Sequence, residues 1–139
     1  MFYAGIGSRR TPADTLKLME SLGRALGSIG FRLRSGAADG ADSAFENGAI
    51  SGGYPKEIYL PWYAFHGRVG PDYIVVKDPQ VKAWAEQCMR AAHPAVGSLS
   101  PSARMLMTRN TYQVAGQGQH LLSAFVVCWT PDGAEKADE

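Results

Sequence analysis

Short apolar runs alternate along the chain with longer stretches whose apolar residues recur every three or four positions. Residues 2–6 (FYAGI) read as a short buried strand that breaks at Gly5-Ile6-Gly7-Ser8. Thr11 is placed to cap the helix that follows, with Pro12 in its first turn and Asp14 closing a capping box. Leu18, Leu22, Ala25 and Ile29 share one face of that helix, and Gly30 stops it. In residues 31–35, Phe31 and Leu33 alternate with Arg32 and Arg34, which predicts a strand half exposed or at a sheet edge. A second helix follows Ser35-Gly36 and runs to about Ala49, and Ile58-Tyr59-Leu60 is a third strand, stopped by Pro61. Residues 62–78 form a surface excursion with one extra strand in Tyr73-Ile74-Val75-Val76. Val81, Trp84, Ala85, Cys88 and Met89 repeat at helical spacing and predict an amphipathic helix over 79–92. Ser100-Pro101 opens another, to about Gly116. Residues 124–129 (AFVVCW) are continuously apolar, as expected of a central parallel strand covered on both faces. The polar tail, 131–139, is expected to fray.

Strands alternating with helices of this length predict one α/β domain over residues 1–139. The expected architecture is a Rossmann-like three-layer sandwich, a mostly parallel sheet with helices on both faces. Such sheets bind ligands outside the carboxyl ends of their strands, where the strand order reverses. Both glycine-rich turns fall at such ends.

Composition narrows the chemistry. A chain of 139 residues, 45% hydrophobic and 19% charged, has room for one core and is not a disordered sequence. A formal net charge of +1 provides no global field toward DNA or a membrane, so any nucleic-acid site must be a local patch of arginines. Cys88 and Cys128 lie far apart in apolar stretches and read as buried thiols of a reducing cytosol. No Cys/His cluster has zinc spacing, so neither a metal nor another cofactor is expected. The first ten residues are too short an apolar run for a signal peptide or membrane span, which leaves a cytoplasmic location as the expectation.

The candidate chemistry sits in the turns. Gly5, Gly7, Ser8 and Arg9 combine a tight turn, a hydroxyl and a guanidinium at a helix start, a setting suited to an anion. A plain tight turn with solvated arginines explains the same residues. The second turn, Ser35-Gly36-Ala37-Ala38-Asp39-Gly40-Ala41-Asp42, repeats that logic. Asp39, Asp42 and Glu46 line one side of the helix start, where carboxylates favour the dipole. Asp42 is the choice for a carboxylate facing a pocket, accepting from a ribose hydroxyl or a base amine. Arg109-Asn110 interrupts a helix with a poor interior residue, so Asn110 has either a hydrogen-bonding duty or a solvent-facing place. Trp62, Tyr63 and Phe65 could stack on a base or serve as a core flap. His93 reads as a helix end, and His66 and His120 have no evident partner. Ser8 and Ser35 lack a His/Asp relay, which excludes a serine hydrolase.

Gly7-Ser8-Arg9 after a strand, then Ser35-Gly36-Ala37-Ala38-Asp39-Gly40-Ala41-Asp42 after a second, then Arg109-Asn110 before an apolar run, resemble the DNA-processing protein A (DprA/Smf) branch of the SLOG superfamily. The chain as a whole is similar to the small stand-alone members of that branch found in phage genomes. The resemblance implies a Rossmann-like fold whose loops bind nucleotides, nucleotide-derived signals or single-stranded DNA. It implies that Gly7, Ser8 and Arg9 hold a phosphate, that Ser35, Gly36, Ala38 and Gly40 line the same pocket, and that Arg109 and Asn110 reach in. Thr130, at the end of the last apolar run, joins that set. Asp39 stands where DNA-binding relatives usually carry a basic residue, and the P-G-G-x-G-T-x-x-E string of the phosphoribohydrolase branch is missing. Relatives also continue past the equivalent of Thr130 with another glycine-rich turn, a helix and a strand, so either part of the pocket is lacking or the natural chain runs beyond Glu139.

Three functions remain in view: binding of a nucleotide or single-stranded nucleic acid, cleavage of a nucleotide's N-glycosidic or phosphate bond, and inhibition of a host protein by a phage-type scaffold. A second copy of the chain is a further candidate partner.

Overall fold

Strands of two to four residues cannot bury much alone, and here each is placed by the helix or loop that carries the chain back to begin the next one in parallel. The computed structural model describes residues 1–118 and 121–132. The elements run β1 (Phe2–Gly5), α1 (Ala13–Ser28), β2 (Arg32–Ser35), α2 (Ala41–Gly52), β3 (Lys56–Tyr59), β4 (Tyr73–Ile74), α3 (Pro79–Ala92), α4 (Pro101–Ala115) and β5 (Val126–Val127). The five strands form one sheet in the order β4-β3-β2-β1-β5, with every neighbouring pair parallel. The expected Rossmann-like α/β fold is therefore present. The order reverses at β1, so the switch point lies between β1 and β5.

The two faces carry two cores. Tyr3 pairs in register with Leu33, and Ser35 with Ile58, on the face where Met19 and Phe45 pack beneath α1 and α2. Tyr59 packs with Val76, Ala85 and Tyr112 on the other face, beneath α3 and α4. The amphipathic helix expected over 79–92 matches α3, whose N-cap Asp78 accepts the Gln80 N–H at 2.9 Å. Ser100 caps α4 in the same manner, accepting the Ala103 N–H.

Several expectations are overturned. β2 is the central strand, and Arg34 is 1% exposed. Its guanidinium pairs with Glu57 at 3.0 Å, donates to the Leu121 carbonyl and lies 3.9 Å over the Phe2 ring. A buried arginine with this many partners has the periodicity of an exposed one.

The 124–129 run is no central strand: only Val126–Val127 pairs, at the sheet edge and with β1 alone. Phe125 stacks on Tyr3, and Val127 and Trp129 pack on the core, while Val126 and Cys128 are exposed. The run is covered on one side. Consequently Cys128 is an exposed thiol and Cys88 a half-buried one, against the expectation of two buried ones.

The face of α1 is rotated from the expected one. Leu18, Ala25 and Ile29 are exposed, whereas Met19 and Gly23 are buried with Leu16, Leu22 and Leu26 partly covered. A Cβ on Gly23 would lie 2.8 Å from the Phe45 carbonyl oxygen, and one on Gly48 2.2 Å from that of Glu20. The α1–α2 contact is thus made through glycines, which hydrophobic spacing does not register. Thr11 does not cap α1; its hydroxyl donates to the Ser8 carbonyl at 2.6 Å, and the N-cap is Pro12. Of the tail, residues 133–139 lie outside the described residues.

Candidate functional site

Both glycine-rich turns leave the carboxyl edge of the sheet, from neighbouring strands β1 and β2. They are tied to each other by backbone and side-chain bonds. Ser35 Oγ donates to the Gly5 carbonyl at 2.6 Å, and the Ala41 N–H donates to the Ser8 carbonyl at 3.4 Å. Gly40 has φ +83° and ψ −123°, a backbone state that favours glycine, and a Cβ there would lie 2.7 Å from the Ser8 oxygen. The close seating of one turn on the other therefore needs a residue without a side chain at 40.

Above the two turns is a cavity of about 500 Å³. Its floor and one wall come from the turns (Ile6, Gly7, Ser8, Arg9, Ala38, Asp42), and a second wall from Phe65 and His66. The third wall is α4, through Leu106, Met107, Arg109, Asn110, Gln113 and Val114. These α4 positions recur at three- and four-residue spacing, one broad helical face.

Asp42 is 4% exposed, and burial pushes its carboxyl up to about 6. The Arg109 charge and the backbone N–H groups of Ala38, Gly7 and Gly36 pull the other way. Of these, the Ala38 N–H reaches Asp42 Oδ2 at 3.4 Å. Arg109 is 5% exposed; burial lowers its pKa and Asp42 opposes that. The guanidinium donates to the Gly36 carbonyl at 2.5 Å, the Tyr59 carbonyl at 3.2 Å and Asn110 Oδ1 at 3.1 Å, and lies 5.5 Å from the centre of the Phe65 ring.

Of the residues expected in a site, Gly7, Ser8, Arg9, Ala38, Asp42, Arg109 and Asn110 line this one cavity. The others do not line it. Gly5 and Ser35 lie beneath the turns, joined by their hydrogen bond. Gly36 is buried against α4, where a Cβ would lie 1.9 Å from Gln113 Nε2. Gly40 seats the turns, Asp39 is exposed and pairs with His66 at 3.5 Å, and Thr130 is half-buried outside the lining. Glu46 faces elsewhere, paired with Arg68 at 3.3 Å and accepting the Tyr73 hydroxyl at 2.9 Å.

Sequence reasoning missed Gln113, which is 2% exposed, and gave His66 no partner. The spacing from Asn110 to Gln113 was the available signal for the first. His66 stacks on Phe65 with ring centres 4.1 Å apart, a contact that depends on the loop's path. Trp62 and Tyr63 belong to a separate hollow of about 390 Å³ on the other side of Arg109. His93 ends α3 as expected, and His120 lies outside the described residues.

The fold and cavity define a Rossmann-like α/β protein with a ligand-sized hollow at the carboxyl edge of its sheet, over the turns that leave β1 and β2. No protein-family model matches the chain, and no curated protein or solved structure matches it. Among the described residues no helix is long and apolar enough to cross a membrane.

Proposed function

We propose that the protein binds a phosphorylated nucleotide, a nucleotide-derived ligand or the end of a single nucleic-acid strand in the cavity between its two glycine-rich turns and α4, as a DprA-like member of the SLOG superfamily. The observation that carries this reading is the meeting of both turns, an aromatic wall and Arg9 around one hollow of about 500 Å³ at the carboxyl edge of the sheet. That volume suits a ligand of mononucleotide size rather than a long duplex. Arg9 is exposed at the cavity and has no ion-pair partner among the described residues, which leaves it available to a phosphate. Titration calorimetry with mononucleotides, dinucleotides and short single-stranded oligomers tests the reading. Arg9→Ala is expected to weaken binding by about 1.5–3 kcal/mol, one charge-assisted hydrogen bond. Absence of binding across the panel, with a tight protein partner instead, would favour the host-factor reading.

A second reading has one specific observation in its favour. Asp42 is a buried carboxyl whose proton affinity is raised and which faces a cavity, a setting used for general acid chemistry. Release of free base from a nucleotide, abolished in Asp42→Asn, would establish an N-glycosidase. The Arg109 charge and the turn N–H groups hold back part of that rise, and binding without turnover is the expected result.

A further inference from the structure

A second hollow, of about 390 Å³, opens at the carboxyl ends of β3 and β4, the edge at which open parallel sheets hold ligands. Leu60 to Tyr63 leave β3, Val75 and Val76 leave β4, and α3 and α4 supply the rest of the lining. Arg109 is the one residue that lines both this hollow and the cavity between the turns. A nucleotide held between the turns therefore leaves the second hollow without a purpose.

The lining joins an apolar body to unpaired positive charge. Leu60, Pro61, Val75, Val76 and Met105 are aliphatic, and Trp62 and Tyr63 leave 36% and 79% of their surface exposed beside them. The Trp62 ring is braced edge-on by Phe65, with centres 5.3 Å apart. Lys82 and Arg104 also line the hollow, and neither side chain makes a hydrogen bond or ion pair among the described residues. Glu86, the carboxylate of the lining, is paired with Arg90 at 2.9 Å. Arg104 is half-buried, and its Nε is shut off from solvent without an acceptor, whereas its terminal nitrogens are not shut off. A guanidinium that has lost part of its hydration and gained no partner is stabilised by an anion that reaches those terminal nitrogens.

We infer that this hollow is a second binding site, for a small aromatic anion: a flat ring system carrying one carboxylate or phosphate. The ring lies among the apolar side chains and Trp62, and the anionic group takes Arg104 with Lys82 adding charge. The volume falls in the range of small-molecule sites. The site stands apart from the nucleotide reading, because the shared Arg109 is already held by two carbonyls and Asn110.

Calorimetry on the unaltered protein with 2-naphthoate, 2-naphthyl phosphate and uncharged 2-naphthamide tests the charge requirement. At least one of the two anions is expected to bind about tenfold more tightly than the amide, and the tighter of them names the anionic group. Equal binding of amide and anions would overturn the inference, and so would binding by none of the three. Amide-resolved NMR of the same samples places the probe. The signals of Trp62, Tyr63, Met105 and Thr108 are expected to move, and those of Ser8, Arg9 and Ala38 to stay. Shifts at the turns without shifts in the second hollow would overturn the site and leave the nucleotide reading standing. Arg104→Gln is expected to weaken the anions by about tenfold and leave the amide unchanged, whereas an arginine with a merely structural role would affect all three alike. The probe series and the NMR map decide the matter even where the variant does not fold.

Discussion

Burial raises the proton affinity of Asp42 in the folded chain, which links folding to pH. Its carboxyl moves from 3.8 to about 6, so its contribution to stability is fully present below the unfolded value and is lost as pH rises through about 6. The size is on the order of 2–3 kcal/mol. Urea denaturation at pH 4, 5, 6 and 7 should show this decline in the parent relative to Asp42→Asn; equal slopes in the two proteins would contradict it. Arg34 sets up the opposite case, a buried charge with full partnership. Glu57, the Leu121 carbonyl and Ser123 Oγ surround its guanidinium, and Glu57 also accepts the Tyr59 hydroxyl at 3.0 Å. Arg34→Ala strands those groups and is expected to lower stability by about 3–5 kcal/mol, read from the same denaturation curves.

Among the elements, the two strand-to-helix turns act as one unit because Gly40 lets α2 begin against Ser8 and Arg9. Gly40→Ala would bring a Cβ to 2.7 Å from the Ser8 oxygen in a backbone state alien to alanine. Gly53, just after α2, also has a positive φ, +68°, but a Cβ there meets nothing within 4 Å. Gly53 lies in the left-handed helical region, which other residues enter at modest cost, whereas Gly40 joins a backbone state reserved for glycine to the close approach of Ser8. Gly53→Ala should cost about 1 kcal/mol, and Gly40→Ala more than about 2 kcal/mol. Thermal melts of the two variants provide the check, and equal losses would show that the turns do not depend on each other. At this scale helices α3 and α4 were legible from periodicity, Pro and Ser alone. The buried face of α1 was not, since its contact with α2 is made where side chains are absent.

Across the whole molecule, near-neutral charge and, among the described residues, one cavity arginine without an ion-pair partner argue for few phosphate contacts. The affinity for a mononucleotide is expected to fall only gently with salt, because one phosphate is engaged and a mononucleotide carries no condensed counterions to release. Isothermal titrations between low and moderate salt measure it, and a steep fall would point to an extended nucleic-acid track. The sheet order also explains why β5 is only half covered. Strand β1 has β2 on one side and on the other just the two residues of β5, which leaves Val126 on an open edge.

Local rules within the sequence determined the alternation of strands and helices, the parallel sheet that follows from it, and the presence of two glycine-rich turns at strand ends. Those rules act over a few residues, so they can be read from spacing and turn chemistry. Where the chain must be known in three dimensions, only the tertiary structure decided. It turned Arg34 from an edge residue into a core one, reduced the 124–129 run to a short edge strand, and separated Asp39, Asp42 and Glu46 onto three different partners. It also brought Gln113 of α4 over Gly36, a contact between residues 77 positions apart. Burial and pairing of this kind depend on which distant segment arrives to cover a side chain, and no periodicity in a single stretch records that arrival.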